Sequence, residues 1–492
     1  MTLVHRVLYP RPIETLADYV SRGGGRGLDA ARHLPPARLV AKVTAAGLRG
    51  RGGAGFPVGR KWRTVARNRS AAATPTVVVN GAEGEPGTFK DRAILRTNPY
   101  QVIEGGLIAA RAVGADLVIV ALKRSFGPEV ARAREAIGEI EAAGWAGGVE
   151  LAVFEGPDEY LYGEESALLE TIQGRYPLPR VVPTFRRGLR REVDLVAAAA
   201  AGEDDGGDEP GPVAPTLVNN LESVANVPRI IARGPTWYRT VGTATSPGTV
   251  VCTVTGDTRR HGVGEVRMGT PLREVITAIG GGPRPGRRIK AVLCGVANRV
   301  LTGSALNAPV SYEGMAAVGS GLGSGGFIVF DDTADMAAVA AGAARFLAVE
   351  SCGQCVPCKW DGLAVAELLG RVCRSQATAH DVDVIGRRLL SITERSRCYL
   401  ATQQQNVVGS LLDSFRHEIV AHLEGRAAPR EPELVAELVD IVDGRAVIDT
   451  RHRDKQADWT YDRVYSGKVP AECLIGAVPP WRSHPTLSVA GT

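Results

Sequence analysis

The sequence predicts an α/β chain: a parallel sheet with helices on both faces, then a small β-grasp module, then a C-terminal helical bundle. Three observations lead there. Between residues 76 and 172, short β-branched runs alternate with helical stretches. From 248 to 296 the order is strand, strand, helix, strand. Beyond 334 the pattern is helical and carries a cluster of cysteines. Alternation of strand and helix is the signature of a parallel sheet, because each parallel crossover needs a covering helix.

Residues 36–47 read as a helix, followed by the loop LRGRGGAGFPVG. TVVVN at 76–80 is short, β-branched and bounded by Pro75 and Gly81, so it reads as a strand. A helix follows at 99–113, then the strand DLVIVAL at 116–122. The helix at 128–143 repeats Val130, Ala133, Ile137 and Ile140 at a 3.6-residue period. VELAVFE at 149–155 is a third strand and leads into YLYGEESALLETIQG, helical in its second half. Such Rossmann-like sheets bind ligands beyond the carboxyl ends of their strands. NGAEGEPG (80–87) and YLYGEES (160–166) fall there.

Residues 186–214 are basic, then Ala-rich, then a polar Gly/Pro tract, and are expected to form a mobile surface insertion. GTVVCTVTG, VGEVRMG, PLREVITAIGG and RIKAVLCG suit a β-grasp module, with VGSGLGSGGFIVF (318–330) as its connection onward. Helices are expected at 334–349, 359–372, 381–395 and 403–424. The tail 427–492 has six prolines and no clear periodicity, and is expected to pack loosely or onto a partner. The units are therefore 1–240, 241–330, 331–426 and 427–492.

Composition narrows the function. At 492 residues, 44% hydrophobic and 23% charged, the chain has material for several domains. A formal charge of +5 is small and dispersed, which argues against nucleic-acid binding. No apolar run approaches the ~20 residues of a membrane span, since 104–122 is broken by Glu104, Arg111 and Asp116. The N-terminus lacks an export signal, so a soluble cytoplasmic protein is expected. Three of the eight cysteines lie within seven residues, which in a reducing compartment reads as metal ligation.

SCGQCVPC spaces Cys352, Cys355 and Cys358 three apart, and Cys398 follows in RSRCYL. Zinc sites usually use two separate Cys-x2-Cys pairs, because four sulfurs must converge on one ion. Three overlapping ligands and a distant fourth suit a [4Fe–4S] cubane, whose corners are spread apart. Gly353 and Pro357 favour a turning, non-helical backbone there. Structural zinc and unrelated buried thiols are the competing readings. Cys252, Cys294, Cys373 and Cys473 read as small core residues.

In GLRGRGGAGFPVGRKW, Gly47, Gly50, Gly52, Gly53, Gly55 and Gly59 bare the backbone for close approach of a planar or phosphorylated ligand. Arg49, Arg51, Arg60 and Lys61 add positive charge. A ligand-free glycine-rich connector is the competing reading. Neither a Walker loop nor the dinucleotide fingerprint is present, because no G-K-[ST] follows and the loop precedes the first strand. Glu83 and Glu85 sit in a turn past a strand. Glu164 and Glu165 open a helix, where the macrodipole alone favours carboxylates. Asn219 and Asn220 are turn residues or donors to a polyhydroxyl chain.

Taken in order, GRGGAGFPVGRKW, NGAEGEPGTFKDR, YLYGEESAL, PTLVNNLES, GLGSGGFIVF and ESCGQCVPCK…C closely resemble the NADH-binding flavin subunit of respiratory complex I, the F subunit, and the related diaphorase subunits of NAD-linked hydrogenases and formate dehydrogenases. The likeness covers about 36–424. It implies a flavin domain, a β-grasp domain and a bundle carrying one [4Fe–4S] cluster on Cys352, Cys355, Cys358 and Cys398. It also implies that Gly50, Arg51, Gly52, Gly53, Ala54, Gly55, Phe56, Gly59 and Lys61 line a shared nucleotide and flavin site. FMN contacts would fall on Asn80, Glu83, Tyr162, Gly163, Glu164, Asn219 and Asn220. NADH would lie near Phe56, Lys61, Glu85, Glu165 and Phe185. Hydride transfer to FMN needs no side-chain acid or base. Electrons would leave through the cluster to partner redox subunits, a thioredoxin-like [2Fe–2S] subunit or a ferredoxin-type chain, and these would hold the whole peripheral to the inner membrane.

Three departures stand out. Ala82 occupies the place of an aspartate usual near the flavin, Thr64 that of an aromatic near the adenine, and GVANRVL that of a Gly-rich segment after a β-grasp strand. Two other functions compete. One keeps FMN and cluster but exchanges electrons with a different donor or acceptor; the other is a non-catalytic assembly component stapled by its cluster.

Overall fold

The computed structural model describes residues 3–69, 74–189 and 213–480. Its first sheet contains β1 (Thr76–Asn80), β2 (Leu117–Lys123), β3 (Glu150–Gly156) and β4 (Thr216–Asn220), all parallel, in the spatial order β3-β2-β1-β4. Alternation along β1 decides which residue meets which layer. Val77 and Val79 join the core shared with the helices Pro99–Val113 and Gly127–Ala142, while Val78 faces the helix Glu165–Ile172. The helix Pro99–Val113 begins where sequence says it should. Asn98 caps it by accepting from the Gln101 N–H, Pro99 lacks only an N–H the first turn does not need, and Gly114 ends it in the left-handed region.

The second sheet is mixed, with β5 (Thr249–Gly256), β6 (Gly262–Arg267), β7 (Ile289–Cys294), β8 (Leu301–Thr302) and β9 (Gly326–Asp331) in the order β6-β5-β9-β7-β8. Helix Leu272–Gly280 packs its Leu272, Val275, Ile276 and Ile279 against it. Here one expectation is corrected. Residues 318–330 are not merely a connection, because their second half is β9, between β5 and β7. The glycines before it hide a strand whose Phe327 and Val329 are fully buried. Cys252 and Cys294 lie in this same core, as small core residues should.

The bundle comprises Met336–Glu350, Val356–Cys373, Ala379–Ser391, Leu400–Ser414 and Arg416–Leu423. The single helix expected at 403–424 is two, broken at Phe415. Met336–Glu350 is Ala-rich and buried on almost every side, because small side chains let neighbouring helices close in. Asp335 caps it, accepting from the Ala337 and Ala338 N–H groups at 3.0 and 3.2 Å.

The expectation of a loose or partner-bound tail is corrected for its described part, residues 427–480. Its strands β10 (Leu438–Val442) and β11 (Arg445–Ile448) form a hairpin, and His452, Lys455, Trp459 and Val469 are buried against the rest of the chain. Anchoring by single side chains and backbone bonds leaves no periodicity to read. Most of the expected insertion at 186–214 lies outside the described residues. Among the described residues no helix is long and apolar enough to cross a membrane.

Candidate functional site

All four strands of the first sheet end at one edge, and the motif segments gather there. Asn80 lies level with Asn220, and Val79 with Asn219, on adjoining strands. Asn80 Nδ2 donates to the Gly163 carbonyl at 2.9 Å, bringing segment 160–165 alongside β1. Lys61 Nζ donates to the Val218 carbonyl at 2.7 Å and pairs with Glu165, which also accepts from Thr184, next to Phe185. Trp62 Nε1 donates to Asn219 Oδ1 at 2.8 Å. A Cβ on Gly52 would stand 3.2 Å from that of Asn220, so the glycine loop lies directly over the end of β4.

The loop is a narrow hairpin closed by the Gly50 N–H to the Phe56 carbonyl at 2.8 Å and the Val58 N–H to the Leu48 carbonyl at 3.0 Å. Gly55 has φ +62°, and a Cβ there would strike the Tyr312 ring at 2.5 Å. Gly53 bridges to Gly323 of the second sheet's loop. Ala54 and Phe56 at the tip are exposed.

Several predicted site residues do other work. The Arg51 guanidinium is buried, donating to Thr249 and Arg49 carbonyls at 2.8 and 3.0 Å, so it points into the core rather than at the edge. Gly59 faces not the loop but Thr44, packing helix Val58–Arg67 on helix Pro36–Ala46. Glu83 accepts from the N–H groups of Lys90 and Asp91 at 2.8 and 3.2 Å, and from Arg92 Nε at 3.2 Å, so its carboxylate closes the start of helix Lys90–Thr97. Glu164 caps helix Glu165–Ile172, accepting from Ser166 and Ala167 at 3.0 and 2.8 Å. Tyr162 is wholly buried beneath the sheet, its hydroxyl on the Leu122 carbonyl at 3.2 Å.

Sequence reading passed over the group beneath. Lys90 is buried, pairing with Asp91 at 2.8 Å and Glu222 at 3.1 Å, and Asn220 bonds Asp91 at 2.7 Å. Burial lifts the Asp91 carboxyl to about 6 despite the pull of Lys90. A lysine in a helix's first turn opposes the macrodipole, and that misfit in KDR was the available signal.

Glu85 reaches across to the second sheet. It accepts from the Val296 N–H at 2.6 Å and from Tyr160 Oη at 2.5 Å, and burial pushes its carboxyl up. Tyr160 also accepts from Gln403 Nε2 at 2.9 Å and packs edge-on against Phe346 at 5.3 Å. One tyrosine thus joins the sheet edge to the helical bundle.

In the bundle, Cys352, Cys355, Cys358 and Cys398 line a single cavity, walled by Leu161, Pro179 and Leu400. Cys355 immediately precedes the helix Val356–Cys373 and Cys358 sits in its first turn. Pro357 is inside that turn rather than in a loop, tolerated because no N–H is needed there. Lys359 is buried, and its ammonium closes the end of the preceding helix, donating to the Ala348, Val349 and Ser351 carbonyls at 3.0, 3.2 and 2.8 Å. Burial, then the neighbouring thiols, push the Cys398 thiol up to about 12. Burial raises the Cys352 and Cys358 thiols too, and such thiols give up their protons to strongly bound metal. Among the described residues no three His, Cys, Asp or Glu side chains gather tightly enough for one metal ion. Four thiols that line one cavity, three from a single short segment and one from a separate segment, fit an iron–sulfur cluster, in which each binds its own iron.

Two family models match the chain: the Nuo51 FMN-binding domain over residues 43–229, and the NADH-ubiquinone oxidoreductase-F iron-sulfur binding region over 338–422. The second of the NADH-quinone oxidoreductase F subunits of Rhizobium meliloti (strain 1021) is 35% identical over 426 residues, covering 84% of this chain and 96% of its own. The NADP-reducing hydrogenase subunit HndC of Solidesulfovibrio fructosivorans is 33% identical over 425 residues, covering 85% of this chain and 82% of its own. Among solved structures, an H2-reduced NAD+-reducing [NiFe]-hydrogenase is similar with a TM-score of 0.71 at 30% identity, covering 86% of this chain and 68% of that one.

Proposed function

The chain belongs to the family of NADH-quinone oxidoreductase F subunits, and we propose that it oxidises NADH at FMN and passes electrons singly through one [4Fe–4S] cluster to its partners. The observation that carries this reading is the join. A bare glycine loop over the carboxyl edge of a parallel sheet is connected, through Glu85, Tyr160 and Gln403, to the bundle whose cavity holds four thiols.

FMN, when bound, supplies the chemistry that links a two-electron hydride donor to a one-electron cluster. The protein's part is alignment. Gly50, Gly52, Gly53, Ala54 and Gly55 give the approach. Asn80, Gly163, Asn219 and Asn220 offer hydrogen bonds along the strand ends. Phe56, half exposed, and Phe185 offer faces for stacking, and Lys61 with Glu165 forms a polar grip on the dinucleotide. Glu83, Glu164, Arg51, Gly59 and Tyr162 act from behind by fixing the turns. Cys352, Cys355, Cys358 and Cys398 hold the cluster.

The partners are other redox subunits, a thioredoxin-like [2Fe–2S] protein or a ferredoxin-type chain, in an assembly peripheral to the inner membrane. A second reading changes the nucleotide. The similarity to a hydrogenase component named for NADP reduction and the replacement of an adenine-side aromatic by Thr64 both favour testing it. Anaerobic titration with NADH and NADPH, following flavin absorbance and cluster EPR separately, decides. Bleaching by NADH at lower concentration supports the first reading. A flavin reduced by dithionite but by neither nucleotide ends both.

A further inference from the structure

Neither family model extends past residue 422, yet the segment after it is bolted to both halves of the molecule. The Glu433 N–H donates to the Ala338 carbonyl at 2.9 Å, and the backbone there crosses so close that a Cβ on Gly342 would collide with the Glu433 carbonyl oxygen. Lys455 pairs with Glu350 at 2.7 Å, and Trp459 Nε1 donates to the Val349 carbonyl at 3.0 Å. On the sheet side, Arg92 Nη1 donates to the Leu438 carbonyl at 2.6 Å and Arg96 pairs with Asp440 at 2.8 Å. Between these anchors Glu437 turns inward. Its carboxylate pairs at 2.5 Å with Lys123 Nζ, whose side chain is wholly buried at the end of β2 and which also donates to the Asp158 carbonyl at 2.9 Å. A Cβ on Gly84 would fall 2.8 Å from Glu437 Oε1 and 2.9 Å from Lys123 Nζ. The ion pair therefore lies flat against the backbone of the turn 80–85.

We propose that the C-terminal extension is part of the flavin site, with Glu437 as a positioning residue that, paired to Lys123, fixes the chain at Gly84 and sets the charge beneath the turn. Within the turn the Glu83 carboxylate is spent on the start of helix Lys90–Thr97 and Ala82 brings no charge, and the extension brings a further carboxylate to it from a distant segment. Burial lifts the Glu437 carboxyl to about 7 against the pull of Lys123, with Glu350 opposing ionisation and Arg92 favouring it. Its charge at neutral pH therefore depends on the pair staying intact. The proposal rests on the functional reading only for the identity of the flavin above the turn.

The test uses the full-length holoprotein. Glu437→Gln, Lys123→Met and the double variant are titrated with dithionite and redox mediators, without nucleotide, following flavin absorbance and cluster EPR. Glu437→Gln leaves a cation under the turn and is expected to raise the flavin midpoint potential. Lys123→Met is expected to lower it, and the double variant to return toward wild type, with the cluster signal unchanged throughout. Glu437→Asp should restore part of the shift, which a purely structural contact would not require. Single variants with wild-type flavin potential and affinity would overturn the proposal. If Glu437→Gln does not accumulate folded, Gly84→Ala answers instead: weakened flavin binding with iron retained supports the proposal, and wild-type affinity overturns it. Because dithionite is the reductant, a failure of NADH as donor leaves this outcome standing.

Discussion

The two cofactor regions are built on opposite plans. The cysteine cavity is local: three thiols within seven residues, the fourth just ahead of a neighbouring helix, and apolar walls. The proposed nucleotide edge draws on four separated segments, 50–61, 80–85, 160–165 and 219–220, and most of its carboxylates are spent on the protein itself. A metal site needs sulfur at the right spacing and little else. An edge that must hold a flat ligand needs bare backbone in front and rigid polar support behind, and the support carries the charge.

The contrast predicts separable failures. Cys358→Ala should abolish the cluster, seen as loss of iron and of the EPR signal, while flavin absorbance remains; simultaneous loss of flavin would mean the regions fold as one. Lys90→Met should do the reverse. It strands Asp91 in the interior and leaves Glu222 only the more distant Arg51, at 3.7 Å, a loss of about 3–5 kcal/mol, and flavin content should fall while iron is kept.

A smaller effect separates the bundle from the sheet. Burial would raise the Asp335 carboxyl, but His422 and the Ala338 and Ala337 N–H groups outweigh it and hold it below its ordinary value. The stability it contributes is complete above the unfolded aspartate value of about 3.9 and is lost as pH falls through the lower folded value. Asp335→Ala should therefore cost about 1 kcal/mol at neutral pH, and urea midpoints of variant and wild type should draw together below about pH 4.

Lys61→Ala breaks a partly exposed pair with Glu165 and should change stability by less than about 1 kcal/mol. It should raise KM for NADH more than it lowers kcat. A larger effect on unfolding than on KM would assign Lys61 to scaffolding. Cys473→Ser, outside the cavity, should leave iron content unchanged.

Short β-branched runs exposed the parallel sheet because its inner strands bury both faces, and Val77, Val78 and Val79 carry that requirement in their own side chains. β9 was hidden because its core-facing residues follow a glycine run, and the tail because it docks through scattered anchors such as Trp459 and Lys455. Glu164 was legible both as a carboxylate beside a site and as one at a helix start, whereas Glu83 was legible only as the former, because the helix it closes begins seven residues on. Arg51 read as a loop cation facing the ligand and Lys90 was passed over, because their partners, Thr249 and Glu222, come from distant segments.

Local chemistry was indicated by the order of residues: strands from β-branched runs, metal ligation from cysteine spacing, an approach for a flat ligand from glycines. Which charges meet across the fold was decided only in three dimensions, since a buried ion pair such as Lys123 with Glu437 joins residues more than three hundred positions apart. Spacing along the chain encodes what neighbours can do, and burial of distant charges is encoded by nothing shorter than the whole packed core.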